Sequence, residues 1–305
     1  MNTNDFKTRT EIIEEQSTCP EGYWVLGLDT GYSSVKGKSP NKRFAFPYYA
    51  KKVPEGRAFL REAEDSDIRY RDETGEWVVG KLAYDEVNAK EIVDSEQELT
   101  GRHRFFTDIF RVTTRTGIAL GLMPNKYGSC EDKHIMIEAG LPPKYINDAV
   151  DLREALCGKH DFEVKVGAGN WIKYSIELKE NDIQVMPQPL GSLVSASTNA
   201  NGRQLKTAIQ YWSGNVIVFD PGYGTLDTYI VKRGQVIGKG ETFPEYGMHE
   251  VFARTCRDIE KEFGLSIEVP ELQNCLESGE VKVIVSRLFI SRFFKNKKIF
   301  IQRHP

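Results

Sequence analysis

Two stretches of the chain share one arrangement of residue types that suits phosphate chemistry. Residues 26–36 and residues 218–228 each contain an apolar run that ends in Asp, a Gly-containing turn with hydroxyl residues, and a return to apolar or β-branched residues. Each pattern predicts a strand, a tight turn and a second strand. A glycine turn lets the backbone approach an anion closely, and its amides can donate to phosphate oxygens. The repeat therefore predicts two similar half-molecules that hold one phosphate-rich ligand and its metal between them.

The side chains of these stretches divide into two groups of candidates. Asp29 and Asp220 end the two apolar runs, where a carboxylate alone would repel a phosphate. Magnesium removes that conflict because it binds carboxylates, water and phosphate oxygens together. We therefore predict that Asp29 and Asp220 bind the metal. The residues predicted to contact the nucleotide are Gly31, Tyr32, Ser33, Ser34, Lys36, Gly222, Tyr223, Gly224 and Thr225.

A third candidate lies between two prolines. Gln188 lies between Pro187 and Pro189, in a segment that the prolines make stiff. We expect this segment to cross between the two half-molecules, or lobes. A glutamine there can orient an attacking water, although it is too weak a base to do more. We predict Gln188 and Asp220 as catalytic residues for phosphoryl transfer to water, helped by positioning and charge neutralisation.

Each of these residues also has an ordinary structural explanation. An Asp-x-Gly turn such as the one at Asp29 is commonly a simple β-turn, Lys36 could be a solvated strand residue, and Gln188 could cap a loop. The set taken together favours a ligand site.

Hydrophobic periodicity places the candidates at strand ends and turns. The helix expected over residues 102–122 is either one long helix or two helices broken near Gly117. Structure is expected to begin at about Tyr23. The other expected strands and helices that bear on the site are residues 24–28, 34–36, 43–49, 134–139, 183–186, 216–220, 227–231, 235–239 and the helix 248–263.

Composition limits the class of protein. The chain has 305 residues, 40% of them hydrophobic, which is enough for two lobes with substantial cores. A net charge of -3 gives no general reason to bind nucleic acid or an anionic membrane. No apolar run is long enough to span a bilayer, and the polar, acidic N-terminal residues do not resemble a signal peptide, so we expect a soluble, cytoplasmic protein. The five cysteines form no C-x-x-C pair and are expected to be reduced thiols.

The motifs resemble those of the actin and sugar-kinase superfamily, and within it the plasmid-segregation actins of the ParM/StbA type. Residues 28–36 resemble the first phosphate motif of that family, residues 185–191 the first connecting motif, and residues 219–228 the second phosphate motif. The similarity covers roughly residues 24 to 265.

The resemblance implies an α/β protein of actin-like fold, with two ribonuclease-H-like lobes around a nucleotide cleft. It implies ATP or GTP with Mg²⁺ as cofactors, ATP being favoured, and slow hydrolysis linked to assembly into filaments that position plasmid DNA. The partners implied are further copies of the chain and a DNA-binding adaptor at a centromere-like site, without direct contact to nucleic acid. The expected division is a flexible leader at 1–22, lobe I at 23–188, lobe II at 189–280 and a basic apolar tail at 281–305.

The end of the chain departs from the family. A tandem-Gly adenosine motif is missing, since beyond Gly247 the only glycines are Gly264 and Gly279. We therefore expect the second lobe to be cut short relative to the family. Residues 281–305 contain no Asp or Glu and seven Lys or Arg. They read either as a final amphipathic helix or strand, or as a contact for a membrane surface, DNA or a partner.

Three functions remain open at this point. The leading one is a filament-forming nucleotide hydrolase. The missing adenosine motif favours a nucleotide-binding module that opens and closes without polymerising. A small-molecule kinase would need an acid that accepts a hydroxyl proton, and Asp227 is a candidate for that acid only because it lies near the second turn.

Overall fold

The computed structural model describes residues 9–59, 61–86, 102–199 and 201–278. The predicted tail at 281–305 and the first eight residues of the predicted leader lie outside these ranges. The described residues divide into two units, one of residues 9–251 and one of residues 252–278. The lobe boundaries expected from the sequence differ from this division and remain a prediction.

The first unit contains three sheets with helices between their strands. The sheets have the strand orders β1-β4-β3-β2-β8-β11, β10-β9-β6-β7-β5 and β12-β13-β14. The strands are β1 Glu11–Glu14, β2 Tyr23–Thr30, β3 Ser34–Ser39, β4 Lys42–Pro47, β5 Ala50–Lys52, β6 Ile68–Asp72, β7 Gly75–Val79, β8 His134–Leu141, β9 Gly158–Val166, β10 Ile172–Leu178, β11 Ile183–Pro187, β12 Asn215–Pro221, β13 Leu226–Lys232 and β14 Gln235–Phe243. The helices are α1 Lys81–Glu86, α2 Asp108–Leu122, α3 Ala149–Leu156, α4 Gln188–Ser197, α5 Ala208–Ser213, α6 Met248–Phe263, which continues into the second unit, and α7 Val269–Ser278 within it.

The six-stranded sheet positions the first predicted turn. β2 pairs with β3 antiparallel and with β8 parallel, so its carboxyl end at Thr30 lies beside the carboxyl ends of β8 and β11. Leu26 and Leu28 are buried on one face of β2 and contact α2. A Cβ at Gly121 would lie 2.5 Å from Leu26 Cδ1, and one at Gly117 would lie 2.8 Å from Leu28 Cδ1. The two glycines therefore let the helix pack close against the strand.

Two elements differ from those expected from the sequence. The expectation that structure begins at Tyr23 is wrong, because β1 pairs antiparallel with β4 along residues 11–14. Of the two forms expected for residues 102–122, neither matches fully. A 3-10 helix over Arg102–Phe106 is followed by α2, which begins after the N-cap Thr107 and runs unbroken through Gly117. The hydroxyl of Thr107 accepts from the Phe110 N–H, and this cap sets the start of the helix.

The three-stranded sheet positions the second predicted turn. β12 and β13 pair antiparallel, and β13 pairs with β14 with an irregularity between Thr228 and Ile230. One face of this sheet packs through Tyr229 and Val231 against Leu193 of α4. The predicted strands and the predicted helix over 248–263 are confirmed in this region, the helix with the same bounds.

The second unit contains the remainder of α6 and α7. Phe252, Cys256 and Ile259 of α6 are buried at helical spacing, and α7 buries Val269 and Leu272. In the described part of the chain, no helix is long and apolar enough to cross a membrane.

Candidate nucleotide site

The first turn joins β2 to β3 and carries Asp29 at its base. Asp29 lies opposite Lys36 in the antiparallel pairing of the two strands. Gly31 lies inside the turn, where a Cβ would come within 3.1 Å of the Ser34 carbonyl oxygen. A glycine therefore suits this close turn, and it brings Asp29 and Lys36 to one edge of the sheet.

The carboxylate of Asp29 contacts a side chain from outside the first turn. The Gln188 amide Nε2 donates to Asp29 Oδ1 over 3.0 Å. Burial raises the pKa of Asp29 above its ordinary value, while the positive charges of Lys36 and Arg104 act in the opposite direction. A bound cation would favour the ionised carboxylate in the same way as these two side chains.

The second turn joins β12 to β13 and repeats the first with other residues. Asp220 lies opposite Asp227, as Asp29 lies opposite Lys36. A Cβ at Gly222 would lie 3.1 Å from the Thr225 carbonyl oxygen, and the Gly222 N–H donates to that oxygen over 2.8 Å. The Gly222 amide is therefore engaged within the turn, and contact of Gly222 with the ligand remains a prediction.

The acidic pair of the second turn has unequal surroundings. The Ser192 hydroxyl of α4 donates to Asp220 Oδ2 over 3.3 Å. Asp227 is buried, and its Oδ2 accepts from the Thr225 hydroxyl over 3.0 Å. Its Oδ1 is buried without a hydrogen-bond partner among the described residues. Burial raises the pKa of Asp227, hydrogen bonds with Thr242 and Thr225 act in the opposite direction, and the charge of Asp220 raises it further.

One cavity of about 990 Å³ contains every residue that the sequence predicts for the site. The first and second turns and the start of α4 all line it. The predicted residues along its wall are Asp29, Gly31, Tyr32, Ser33, Ser34, Lys36, Gln188, Asp220, Gly222, Tyr223, Gly224 and Thr225. The structure thus brings the two repeated stretches together, although they are about 190 positions apart in the sequence.

Several other residues that line this cavity are not predicted from the sequence. Arg104 and Glu138 carry charge, and Ser192 adds a hydroxyl near Asp220. Burial raises the pKa of Glu138. Arg104 lies within the segment that sequence periodicity assigns to a helix, and no local signal places its side chain beside Thr30. Glu138 lies on β8, and no motif in the sequence marks it as a site residue.

The carboxylates suit a magnesium ion that takes part of its coordination from phosphate and water. Among the residues that the structure describes, no group of three or more His, Cys, Asp or Glu side chains could hold a metal alone. Magnesium usually binds through one or two carboxylates plus substrate phosphates and retains several waters. Asp29 and Asp220 therefore fit this type of site.

Comparison with solved structures shows which fold this is. The chain is 20% identical to a pCBH ParM non-polymerisable quadruple mutant, with a TM-score of 0.64 and coverage of 87% of this chain and 76% of that chain. A 15-stranded ParM filament from Clostridium botulinum is 17% identical, with a TM-score of 0.64 and coverage of 90% and 79%. Apo psk41 ParM is 17% identical, with a TM-score of 0.54 and coverage of 85% and 78%. These similarities show the actin-like fold that the motifs predict.

Comparison of sequences assigns the family. A search of curated proteins finds no match to this chain. The family model described as "Actin like proteins N terminal domain" matches residues 27–191, which include the first turn and Gln188. The cavity, the repeated turns and this match lead to one conclusion: the chain belongs to the actin-like proteins.

Proposed function

We propose that this chain is a nucleotide hydrolase that assembles into filaments, with ATP favoured over GTP, and that it positions plasmid DNA in the cytoplasm through an adaptor protein. The observation that carries the nucleotide part is the convergence of both Asp-bearing turns on one cavity. Two similar structures, a ParM filament and a non-polymerisable ParM mutant, support the assembly part.

The basic and acidic residues of the cavity would bind different parts of the ligand. Lys36 and Arg104 line the wall beside the first turn and would attract phosphate oxygens, Lys36 as a flexible point charge. Asp29 and Asp220 would hold Mg²⁺, which supplies charge neutralisation on the phosphates when bound. The hydroxyls of Ser33 and Thr225 lie on the same wall, although the Thr225 hydroxyl already donates to Asp227.

Gln188 would orient the water that attacks the terminal phosphate. It begins α4 directly after β11, and its amide N–H donates to Asp29. That bond fixes which way the amide points, so the side-chain oxygen is left to accept from a water. A glutamine in this position aligns the nucleophile and accepts no proton in the reaction.

Light scattering in the presence of nucleotide and magnesium tests the proposal. With ATP and Mg²⁺, scattering should rise as filaments form and then fall as phosphate is released. GTP in place of ATP decides the base preference. Asp220→Ala is the matched variant and should show neither the rise nor phosphate release.

Three results would contradict parts of the proposal. Nucleotide binding with a monomeric sedimentation profile over a wide protein range would contradict assembly and leave a regulatory module. Phosphate transfer that requires an added acceptor would contradict hydrolysis and indicate a kinase. No binding of either nucleotide would contradict the whole proposal.

A further inference from the structure

The ring of Tyr32 in the first turn lies directly on Gly224 in the second turn. A Cβ built at Gly224 would lie 2.5 Å from Tyr32 Cδ2 and 2.9 Å from Tyr32 Cγ. Such distances are far below van der Waals contact, so any side chain at Gly224 would have to displace the ring. Tyr32 belongs to the β2–β3 turn and Gly224 to the β12–β13 turn. Their contact therefore joins the two turns across the cavity.

Arg104 limits how far that ring can move. Its guanidinium carbon lies 4.8 Å from the centre of the Tyr32 ring, within the range of a cation–π contact. The guanidinium also donates to the Thr30 carbonyl oxygen at the end of β2. Arg104 is 6% exposed, and its Nε has no hydrogen-bond partner among the described residues. A buried arginine fixed in this way holds both the backbone of the first turn and the ring.

The second turn is fixed on another side by the start of α6. A Cβ at Gly247 would lie 2.5 Å from the carbonyl carbon of Gly224, so the two backbones are in direct contact. The Met248 N–H donates to the Gly222 carbonyl over 3.1 Å, and the His249 N–H donates to the Tyr223 carbonyl over 2.8 Å. The second turn is therefore anchored, and Tyr32 presses on a rigid backbone.

We propose that Tyr32 and Arg104 are positioning residues, and that Arg104, Tyr32 and Gly224 form an aromatic clasp that sets the distance between the two turns. This role rests on the proposed nucleotide hydrolysis. It differs from the phosphate contact expected of Tyr32 from the sequence, because the ring acts on the other turn. Groups on the two turns must meet one polyphosphate, and a misplacement of about 1 Å can slow a reaction about 100-fold. A clasp that fixes their separation would act mainly on turnover.

A double-mutant cycle between Tyr32 and Gly224 tests the clasp. Gly224→Ala alone should slow turnover about 10- to 100-fold, because the new methyl group displaces the ring. Tyr32→Ala should slow it similarly, and Tyr32→Phe, which keeps the ring, should recover most of that loss. The double variant should be no slower than Tyr32→Ala alone, because the clash is then absent. Gly224→Ala should also cost less in an Arg104→Ala background, where the ring can move.

Nucleotide affinity, measured with a fluorescent ATP analogue, separates positioning from simple structural damage. In Tyr32→Ala we expect affinity to change by less than about threefold while turnover falls about 10-fold or more. Equal losses in affinity and turnover would overturn the positioning role. If Gly224→Ala does not fold, the comparison of Tyr32→Ala with Tyr32→Phe decides alone.

Thermal unfolding of the nucleotide-free variants distinguishes failure of the clasp from failure of the proposed function. The same cycle should show coupled losses of stability, because the contact exists without nucleotide. Additive effects of Tyr32→Ala and Gly224→Ala in unfolding and in turnover would overturn the clasp. If the cycle shows coupled losses of stability but the parent protein binds no nucleotide, hydrolysis and the positioning role are overturned. The contact between Tyr32 and Gly224 is then still shown to exist.

Discussion

The two Asp-bearing hairpins have the same backbone plan and opposite surroundings. In the first, Leu26 lies three residues before Asp29 and is 0% exposed. In the second, Ile217 lies three residues before Asp220 and is 57% exposed. An apolar strand that ends in Asp therefore predicts the hairpin, and a separate element decides whether its side chains are buried.

The separate element at the first hairpin is α2. Gly117 and Gly121 bring this helix so close to β2 that Leu28 and Leu26 fill the space of their missing side chains. In the second hairpin the buried face of the sheet is the one that packs on α4, and Ile217 and Phe219 point to the other face. In the first hairpin the strand face that carries Leu26 and Leu28 is covered by a helix, whereas in the second hairpin the face that carries Ile217 and Phe219 is exposed among the described residues.

The charged residues at the two turns also differ. Lys36 lies opposite Asp29, but Asp227 lies opposite Asp220. The first turn therefore combines a carboxylate with two cations, Lys36 and Arg104, and the second presents two acids. We expect the first turn to contribute most of the attraction for phosphate and the second to contribute mainly to metal binding.

Truncation of equivalent strand residues tests the difference in burial and has the largest expected effect. Leu26→Ala should cost about 2–5 kcal/mol of unfolding free energy, the usual cost of a cavity in a packed core. Ile217→Ala should stay within about 0.5 kcal/mol, because an exposed side chain loses little. Chemical denaturation measures both values. An equal cost at Ile217 would mean that its face is covered in solution and would remove this part of the comparison.

Replacement of the second-turn carboxylate tests its metal role. Asp220→Asn should lower magnesium-dependent nucleotide affinity by about 100-fold, because even partners outside the first coordination shell cost 10- to 100-fold in metal affinity. Titration calorimetry with and without Mg²⁺ gives this difference. Asp161→Asn, an exposed aspartate on β9, is the matched control and should bind like the parent. Retained magnesium dependence in Asp220→Asn would assign the metal to other residues.

Removal of the Gln188 side-chain amide tests its proposed role in orienting the attacking water. Gln188→Ala should slow phosphate release about 100-fold, the usual loss for one positioned group, with nucleotide binding nearly intact. Gln184 lies on the preceding strand, away from the cavity, and Gln184→Ala serves as the control. Equal turnover of Gln188→Ala and the parent would remove Gln188 from the mechanism.

The pH dependence of stability tests the burial of Asp29 and has the smallest expected effect. Burial raises the pKa of Asp29 above its ordinary 3.8, so the folded protein binds this proton more tightly than the unfolded chain. The protonated carboxyl stabilises the folded protein at low pH. This stabilisation is lost as the pH rises through the pKa that Asp29 has in the folded state. Nucleotide-free Asp29→Asn should therefore melt about 2 °C above the parent at neutral pH, and the gap should narrow as pH falls.

The control for this effect has the opposite expectation. The Ser175 hydroxyl donates to the exposed Asp161, and this bond lowers the pKa of that carboxyl. Asp161→Asn should therefore gain no stability at neutral pH. An Asp29→Asn variant that melts with the parent at every pH would show that the surroundings of Asp29 do not raise its pKa.

Local sequence was sufficient to identify the residues of each repeat that line the cavity. The spacing from Asp29 to Lys36 and from Asp220 to Asp227 is that of a tight hairpin, so alternation and glycine placement identify both turns. The Pro-flanked Gln188 was also found, because two prolines and a preceding strand limit where its side chain can lie. These features depend on neighbours within about ten residues in the chain.

The remainder of the site depends on contacts between distant residues, which periodicity does not report. Arg104 is 74 positions from Thr30, whose carbonyl it contacts, and a basic residue at a helix start is commonly solvated. The role of Tyr32 against Gly224 also requires knowing that the turns meet. β1 was missed because a short edge strand of mixed polarity lacks a hydrophobic pattern.

A map of the chain bound to magnesium and a non-hydrolysable ATP analogue is the most direct test of the central claim, that two Asp-bearing turns share one metal and one polyphosphate. We expect a single magnesium ion on the phosphates, held directly or through water by the carboxylates of Asp29 and Asp220. A nucleotide that lies outside the cavity, or a metal that contacts neither carboxylate, would contradict it.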